Sequence, residues 1–570
     1  MILVREADLV LLHPPSFYDF RKRPFLYGPV SDVVPSSSIF EMYPLGFSTI
    51  LGYLESRGFD VRIVNLAARM LQDPGYDAEK EIRSLRAKAF GIDLHWLAHA
   101  QGSLEVARLV KKHHGDTAVV FGGLTASYFH TQLMESPHVD IVVRGDSTEP
   151  VLERLLEAEF KPPLLEAIPN LTYRDERGTT RVNPLSFVPE NLDYISYGVS
   201  RMVSSILSHR EIRGYLPYRA WLESPIGAVF LCKGCNYNCK TCGGSRYAYR
   251  RFFGRDQPAF RSPEKVVEDL VDIRGYMKGP IFVVSDLRQA GKEYAERLLK
   301  EIGREKVEGP LVFEFFTNVD RGTASMIAQY CDNFSAEMSP ESHDSGVMLA
   351  QGRAFTQASV ERSLRNLLDA GCERADVFFM IGLPTQTRES VLATVEYVDR
   401  LLNSLDDDRL KPFIAPLAPN MDPGSIIFES PEENGYTVFF RDLMEYRGVS
   451  HSLSWKYLLN YESRWLTRDE LVDVTYEAAY RINRVKASHG VISETEAEKQ
   501  QGRIALSWEL SKEIDRRLEK GGQSQVEELA RRIIGEPGLI EEYSLCLSTE
   551  LRWPGSRIKY MNLLKSLLKR

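Results

Sequence analysis

The sequence predicts an α/β protein with two successive parallel-sheet domains and a mostly helical C-terminal region. Short β-rich runs alternate with helical patterns through the first 160 residues, which is how parallel α/β sheets are written. A second alternating series with six strands begins near Ala228, and from about residue 426 the pattern turns helical and charged. Four cysteines (Cys232, Cys235, Cys239 and Cys242) fall within eleven residues at the start of that second series.

In the first series, Asp8–His13 reads as a buried strand that stops at Pro14-Pro15, and Pro44-Leu-Gly-Phe47 opens a helix ending in Arg57-Gly58. Further strands are expected at Asp60–Asn65, Ala89–Asp93, Ala118–Phe121 and Asp140–Val143, with a helix over Ser103–His113. Gly122-Gly123 follows one strand, and Arg144-Gly145-Asp146 with Glu149 follows another. Glycine at the carboxyl end of a parallel strand lets a ligand approach the backbone closely, although a tight strand-to-helix turn needs it equally. The expected class is a Rossmann-like (flavodoxin-like) domain over 1–160, followed by a connector with a small hairpin over 161–224.

The second series places strands at Ala228–Leu231, Ile281–Ser285, Leu311–Phe316, Phe334–Met338, Val377–Ile381 and Pro412–Leu417. Its helices have readable ends: Ser262-Pro263-Glu264 supplies an N-cap, a first-turn proline and a first-turn acid, and Gly371 suits a left-handed stop. Six β/α units make a (β/α)6 partial TIM barrel over 225–425, with chemistry at the carboxyl ends of its strands. Residues 426–570 form the helical C-terminal domain. Its last twenty residues hold six basic and no acidic side chains, with Ile558, Met561, Leu564 and Leu568 near helical spacing. That pattern fits a terminal helix docked on its own domain, or weak contact with an anionic membrane surface.

Composition excludes several classes. Lys and Arg total 71 against 79 Asp and Glu, a net charge of −8, which removes the basic footprint of a general nucleic-acid binder. Charge interrupts the N-terminus too early for a signal peptide, and no apolar run approaches the roughly 20 residues of a membrane span. A soluble, cytoplasmic protein is expected. The seven cysteines, odd in number and without a secretory signal, argue against a disulfide framework.

Counted from Cys235, the clustered cysteines read C-x3-C-x2-C. Three thiolates on one short loop can hold three irons of a 4Fe-4S cluster and leave the fourth open for a ligand. A cluster closed by four cysteines, with Cys232 as the extra ligand, would only move electrons. Zinc is the remaining alternative, although zinc ribbons separate their pairs by roughly 15–20 residues. Gly234, Asn236, Asn238, Gly243 and Gly244 suit a loop that must bend around a cluster, and Cys331, Cys372 and Cys546 read as isolated thiols.

At these residues the sequence resembles the radical S-adenosylmethionine (SAM) superfamily, in its branch with an N-terminal cobalamin-binding domain. The resemblance rests on Gly234-Cys-Asn-Tyr-Asn-Cys-Lys-Thr-Cys242, on the fifth-strand segment Val377-Phe-Phe-Met-Ile-Gly-Leu-Pro384, and on the N-terminal set. That set comprises Pro14-Pro15, Pro44-Leu-Gly46, Gly122-Gly123 and Arg144-Gly145-Asp146 with Glu149. It implies that Cys235, Cys239 and Cys242 ligate a 4Fe-4S cluster, and that SAM chelates the open iron and is cleaved to a 5′-deoxyadenosyl radical. SAM contacts would fall on Gly243, Gly244, Ser285 with Asp286, Glu337, Ser339, Gly382 and backbone near Pro416–Leu417. Cobalamin contacts would fall on Pro14, Pro15, Gly122, Gly123, Gly145, Asp146 and Glu149.

Three departures qualify the likeness. Thr241 stands where the family usually has an aromatic residue, and Ser285-Asp-Leu-Arg-Gln289 lacks the usual Gly-Gly-Glu. The cobalt-ligating D-x-H-x-x-G motif is missing from the first strand-to-helix loop, and Asp93-Leu-His95 mimics it only after the third strand, so no histidine ligand to cobalt is expected. The resemblance implies carbon functionalisation, most simply methyl transfer, on a substrate the sequence does not name, with an electron donor such as flavodoxin or ferredoxin. Ring or C–C bond formation without cobalamin, and a non-catalytic cobalamin or redox sensor, are the rival readings.

Overall fold

The structure is a computed structural model that describes residues 6–22, 25–26, 41–416, 420–449, 452–519, 528–529, 549–560 and 562. Strands β1 (Ala7–His13), β2 (Val61–Asn65), β3 (Ala87–Asp93), β4 (Ala118–Gly122) and β5 (Ile141–Val143) form a parallel sheet in the order β2-β1-β3-β4-β5. This is the flavodoxin-like order, whose ligand crevice opens at the carboxyl ends between β1 and β3. Both faces are covered, which is why the strands read as continuous apolar runs. Leu9, Leu11, Ile63 and Val120 face the helix Gly46–Glu55, whereas Val10, Leu12, Phe90 and Ile92 face the helix Ala100–His113.

The hairpin read as part of a connector does something more specific. Its arms β6 (Leu171–Arg174) and β7 (Thr180–Val182) add to β5 antiparallel and extend the sheet to seven strands. Arg144, at the end of β5, secures the join through its backbone N–H to the carbonyl of Asn170 at 2.8 Å. A local hydrophobic pattern cannot reveal this, because an edge hairpin looks the same whether or not it finds a sheet.

Six parallel strands follow: β8 (Gly227–Phe230), β9 (Ile281–Val284), β10 (Leu311–Phe315), β11 (Phe334–Glu341), β12 (Ala375–Ile381) and β13 (Leu410–Pro416). They pair in chain order, with β8 and β13 as the two edges, so the barrel is partial. Leu311, Phe313, Phe334, Ala336, Val377 and Phe379 pack into the helical layer outside. By the period of two, Val312, Glu314, Ser335, Glu337, Asp376 and Phe378 therefore point to the inner side.

A segment far along the chain fills the amino-terminal end of that interior. Trp553 packs with Phe282 and Val312, and Leu551 packs with Phe413 and Phe378. The Arg374 guanidinium lies 4.4 Å over the Trp553 ring and donates to the Glu550 carbonyl at 2.8 Å. Arg557–Ile558 pairs antiparallel with Met277–Lys278, and Ile558 is buried. Lys559 Nζ donates to the Arg274 carbonyl at 2.6 Å, whereas Met561, Leu564 and Leu568, as well as Leu417 and Cys546, lie outside the described residues. One expected cap differs in detail: Ser262 precedes the helix Pro263–Tyr276 without a side-chain cap bond, and its N–H donates instead to Asp193 Oδ1 at 2.7 Å.

Candidate active site

The cysteine loop leaves β8 and is held from three sides. Gly234 takes a positive φ of 96°, where an added Cβ would stand 2.8 Å from the Arg255 side chain. Gln289, after β9, accepts from the Asn236 N–H through Oε1 at 2.9 Å, and its carbonyl accepts from Asn236 Nδ2 at 2.9 Å. The helix Ser345–Gln351 supports the loop's middle, with the Lys240 N–H donating to the Gln351 carbonyl at 2.9 Å. Gln351 Nε2 also donates to Thr241 Oγ1 at 2.6 Å, so the residue that departs from the family pattern is used to fix the loop. Asp422 Oδ2 accepts from the Gly243 N–H at 3.0 Å and closes the far end.

The thiols suit iron better than zinc. Tyr237 N–H points to Cys235 Sγ at 3.4 Å and Gly244 N–H to Cys242 Sγ at 3.3 Å, backbone donors of the kind that stabilise cluster thiolates. A zinc ion about 2.3 Å from each sulfur would draw the thiolates to within about 4 Å of one another. Among the described residues, no three of the cysteine sulfurs converge within 4.8 Å. The wider setting fits thiolates bound to separate metal atoms of a cluster. Burial pushes the Cys239 thiol up to about 11 and Cys242 well above its ordinary value, while the Arg353 guanidinium pulls Cys239 the other way. Arg353 is itself held by Glu341, with Nε donating to Oε1 at 2.7 Å. Cys232 precedes the loop on the short strand Cys232–Lys233, with its sulfur 3.3 Å from Ser285 Oγ.

Gly352 is the tightest point of the support. Its φ is 93°, and an added Cβ would stand 2.6 Å from the Asn238 carbonyl oxygen. Gly371 has nearly the same φ, 94°, with nothing within 4 Å. Gly352→Val is therefore expected to cost about 1–3 kcal/mol and to lower iron incorporation. Gly371→Ala should cost about 1 kcal/mol and leave iron content unchanged. Denaturant unfolding and iron analysis of the two variants check this, and equal iron loss in both would contradict it.

Of the expected SAM residues, Ser285 and Gly382 directly follow barrel strands and Ser339 lies near the end of β11, whereas Glu337 sits at mid-strand. Ser285 adopts a left-handed φ of 88° after β9 and receives Gln289 Nε2 at 3.0 Å, while its N–H donates to Glu314 Oε2 at 2.6 Å. Asp286 is buried and takes the Arg288 guanidinium, with Nη2 at 2.6 Å from Oδ2. Ser339 is half-buried near the end of β11. Gly382, with φ 96°, is seated against the Tyr461 ring, and its carbonyl accepts from Tyr436 Oη at 2.9 Å. The helical C-terminal region thus reaches the fifth barrel strand.

Glu337 belongs to a row that sequence reasoning missed. Glu314, Glu337, Asp376 and Lys411 are register partners on four neighbouring strands. Strict alternation along β10 and β11 was the available signal. Burial pushes the Glu314 carboxyl up to about 7 and Glu337 well above the usual carboxylate range, with each acid adding to the effect on Glu337. The ordinary value is 4.5, so between there and about 7 the folded chain holds a proton that the unfolded chain releases. The stabilisation is full below pH 4.5 and is lost as pH rises through about 7. Glu314→Gln should flatten the fall in stability across that window, read as urea unfolding of metal-free protein at a series of pH values. An unchanged slope would contradict the assignment.

The predicted cobalamin motifs divide into two groups. Gly122 ends β4 with open space where a Cβ would stand, which leaves the crevice accessible there. Pro14 and Pro15 are buried at the start of the loop after β1, with the Pro15 carbonyl seated on Gly102, and Gly123 is pressed against His95 backbone. Gly145, with φ 92°, donates its N–H to Ser127 Oγ at 3.0 Å. Asp146 and Glu149 face the barrel instead. Asp146 Oδ1 accepts from Arg255 Nη2 at 3.0 Å, both side chains being almost fully buried. Glu149 accepts from Lys233 Nζ at 3.1 Å and from Thr49 Oγ1 at 2.8 Å. Since Lys233 and Gly234 begin the cysteine loop, these two carboxylates fasten the crevice of the first sheet to it. Asp146 and Glu149 therefore lie where the crevice meets the cysteine loop, and Glu149 keeps Thr49 of the first domain as a partner as well.

A parallel sheet of flavodoxin-like order joined to a six-stranded partial barrel, with a C-x3-C-x2-C loop after its first strand, is the arrangement that the resemblance to cobalamin-binding radical SAM proteins implies. Comparison with known proteins agrees. Residues 32–155 match the B12 binding domain and residues 229–398 match the radical SAM superfamily. An uncharacterised methyltransferase of Pyrococcus horikoshii is 25% identical over 364 residues, covering 63% of this chain and 73% of that protein. The radical SAM methyltransferase TsrM of Kitasatospora setae, solved with cobalamin and a [4Fe-4S] cluster, superposes with a TM-score of 0.54 and 18% identity over 76% of this chain and 81% of that one. OxsB, a cobalamin-dependent SAM radical enzyme solved with aqua-cobalamin, gives 0.55 and 12% over 99% of this chain and 84% of that one. The chain thus carries a B12-binding domain over residues 32–155 and a radical SAM domain over residues 229–398.

Proposed function

We propose that this protein is a cobalamin-dependent radical SAM enzyme that transfers a methyl group to an unactivated carbon. The observation that carries the reading is the fastening of the β1–β5 crevice directly to the cysteine loop through Asp146–Arg255 and Glu149–Lys233. A cofactor held in one sheet and a cluster held on the other would then face a common space, as a transfer between them requires.

Cys235, Cys239 and Cys242 would hold the cluster, with backbone N–H groups at Cys235 and Cys242 balancing its charge. Gly243, Gly244, Ser285, Glu337, Ser339 and Gly382 would surround SAM, and the crevice edge with Pro14, Pro15, Gly122, Gly123, Gly145, Asp146 and Glu149 would take cobalamin. When bound, the cluster supplies an electron to SAM and cobalamin supplies a methyl carrier. The chain's own work is to orient these groups and exclude water, and Trp553 and Leu551 seal the far end of the barrel. No helix among the described residues is long and apolar enough to cross a membrane. A flavodoxin- or ferredoxin-type donor and a cytoplasmic setting are the surroundings this chemistry asks for.

The test is product analysis of reconstituted protein with SAM and a strong reductant. Formation of both S-adenosylhomocysteine and 5′-deoxyadenosine is expected. 5′-Deoxyadenosine alone would point to bond- or ring-forming chemistry, and neither product would overturn the enzymatic reading.

A further inference from the structure

His13 ends β1 and Asp93 ends the adjacent β3, in line because Leu12 and Ile92 are register partners one residue earlier. His99 lies in the short turn that enters the helix Ala100–His113. His13 Nδ1 is 2.9 Å from Asp93 Oδ1, and the His13 and His99 rings stand edge-on with centroids 5.1 Å apart. One ligand atom from each of the three residues lies within 4.8 Å of the other two. All three side chains are buried, at 0–4% exposure. His13 Nε2 and Asp93 Oδ2 have no hydrogen-bond partner there. Buried polar atoms left unmatched carry a desolvation penalty that a further ligand would remove.

We propose that His13, Asp93 and His99 form a binding site for a divalent transition-metal ion of the zinc class, at the floor of the crevice between β1 and β3. Two imidazoles and a carboxylate are a donor set suited to zinc and its neighbours, whereas calcium and magnesium prefer oxygen ligands. An ion about 2.1 Å from each ligand places the ligand atoms about 3–4 Å apart. The side chains therefore need to close by at most about 1–2 Å from their 4.8 Å limit. Glu41 is a second buried carboxylate within electrostatic reach of both His13 and Asp93, and it is oriented by Ser16 Oγ at 2.6 Å. Two carboxylates with a divalent ion leave the pocket neutral, which avoids the cost of a bare charge in the interior. The ion would tie β1, β3 and the helix after β3 together beneath the crevice. It is separate from the cysteine loop and uses none of its residues.

The experiment uses the full chain carrying Cys235→Ser, Cys239→Ser and Cys242→Ser, so that the loop cannot take metal. The protein is stripped with a chelator, given zinc ion and desalted. About one zinc per chain with a nitrogen and oxygen shell in X-ray absorption is expected. Asp93→Asn and His99→Gln should each lower zinc affinity by at least about tenfold. Where the triple serine chain does not fold, the same absorption measurement on the wild-type chain separates nitrogen and oxygen ligands from sulfur. Zinc below a small fraction of an equivalent, a sulfur-only shell, or full retention in both variants would overturn the site.

Discussion

Alanine at Cys235, Cys239 or Cys242 is expected to reduce iron from about four per chain to near background and to abolish SAM cleavage, whereas Cys232→Ala keeps the iron. The contrast rests on geometry. Cys235 and Cys242 receive backbone N–H groups within one loop, whereas Cys232 belongs to the preceding short strand and turns toward Ser285. Iron analysis with electron paramagnetic resonance of the reduced variants reads the difference. Loss of iron in Cys232→Ala as complete as in the other three would mean a four-cysteine centre and no open site for SAM.

The second large effect concerns the join between the two sheets. Asp146→Ala leaves the Arg255 guanidinium buried at 3% exposure without its carboxylate, and breaking a buried pair on one side costs about 3–5 kcal/mol. The structure also predicts a functional consequence, because Arg255 packs beside Gly234 at the entry to the cysteine loop. Replacing both partners together, as Asp146→Leu with Arg255→Met, should recover much of the stability, since two apolar groups leave no orphaned charge. Denaturant unfolding of the single and double variants decides it. Simple addition of the two single penalties would contradict coupling.

Much of this was legible in the sequence. Every parallel strand of both sheets is marked by an apolar run bounded by turn residues, and the expected limits fall within a few residues of those observed. Parallel strands buried on both faces make their own signal. The cysteine spacing likewise announces a cluster loop, because three ligands on one loop must be close in sequence. What was not legible depends on contacts between distant segments. The hairpin's place on the sheet, the sealing of the barrel by Trp553 and Leu551, and the support of the loop by Gln351, Arg353 and Asp422 all join residues a hundred or more positions from their partners or without a motif of their own. Asp146 and Glu149 show the same limit from the other side. Their motif marks the turn after β5, and its carboxylates find Arg255 and Lys233 only when the two sheets pack.

On the reading proposed here, one chain holds a SAM-reactive cluster and cobalamin together. The most direct measurement is an iron and cobalt count, with an ultraviolet–visible spectrum, on anaerobically reconstituted protein incubated with hydroxocobalamin and desalted. About four irons and one cobalt per chain are predicted. Iron without retained cobalt, or cobalt without iron, would contradict the claim.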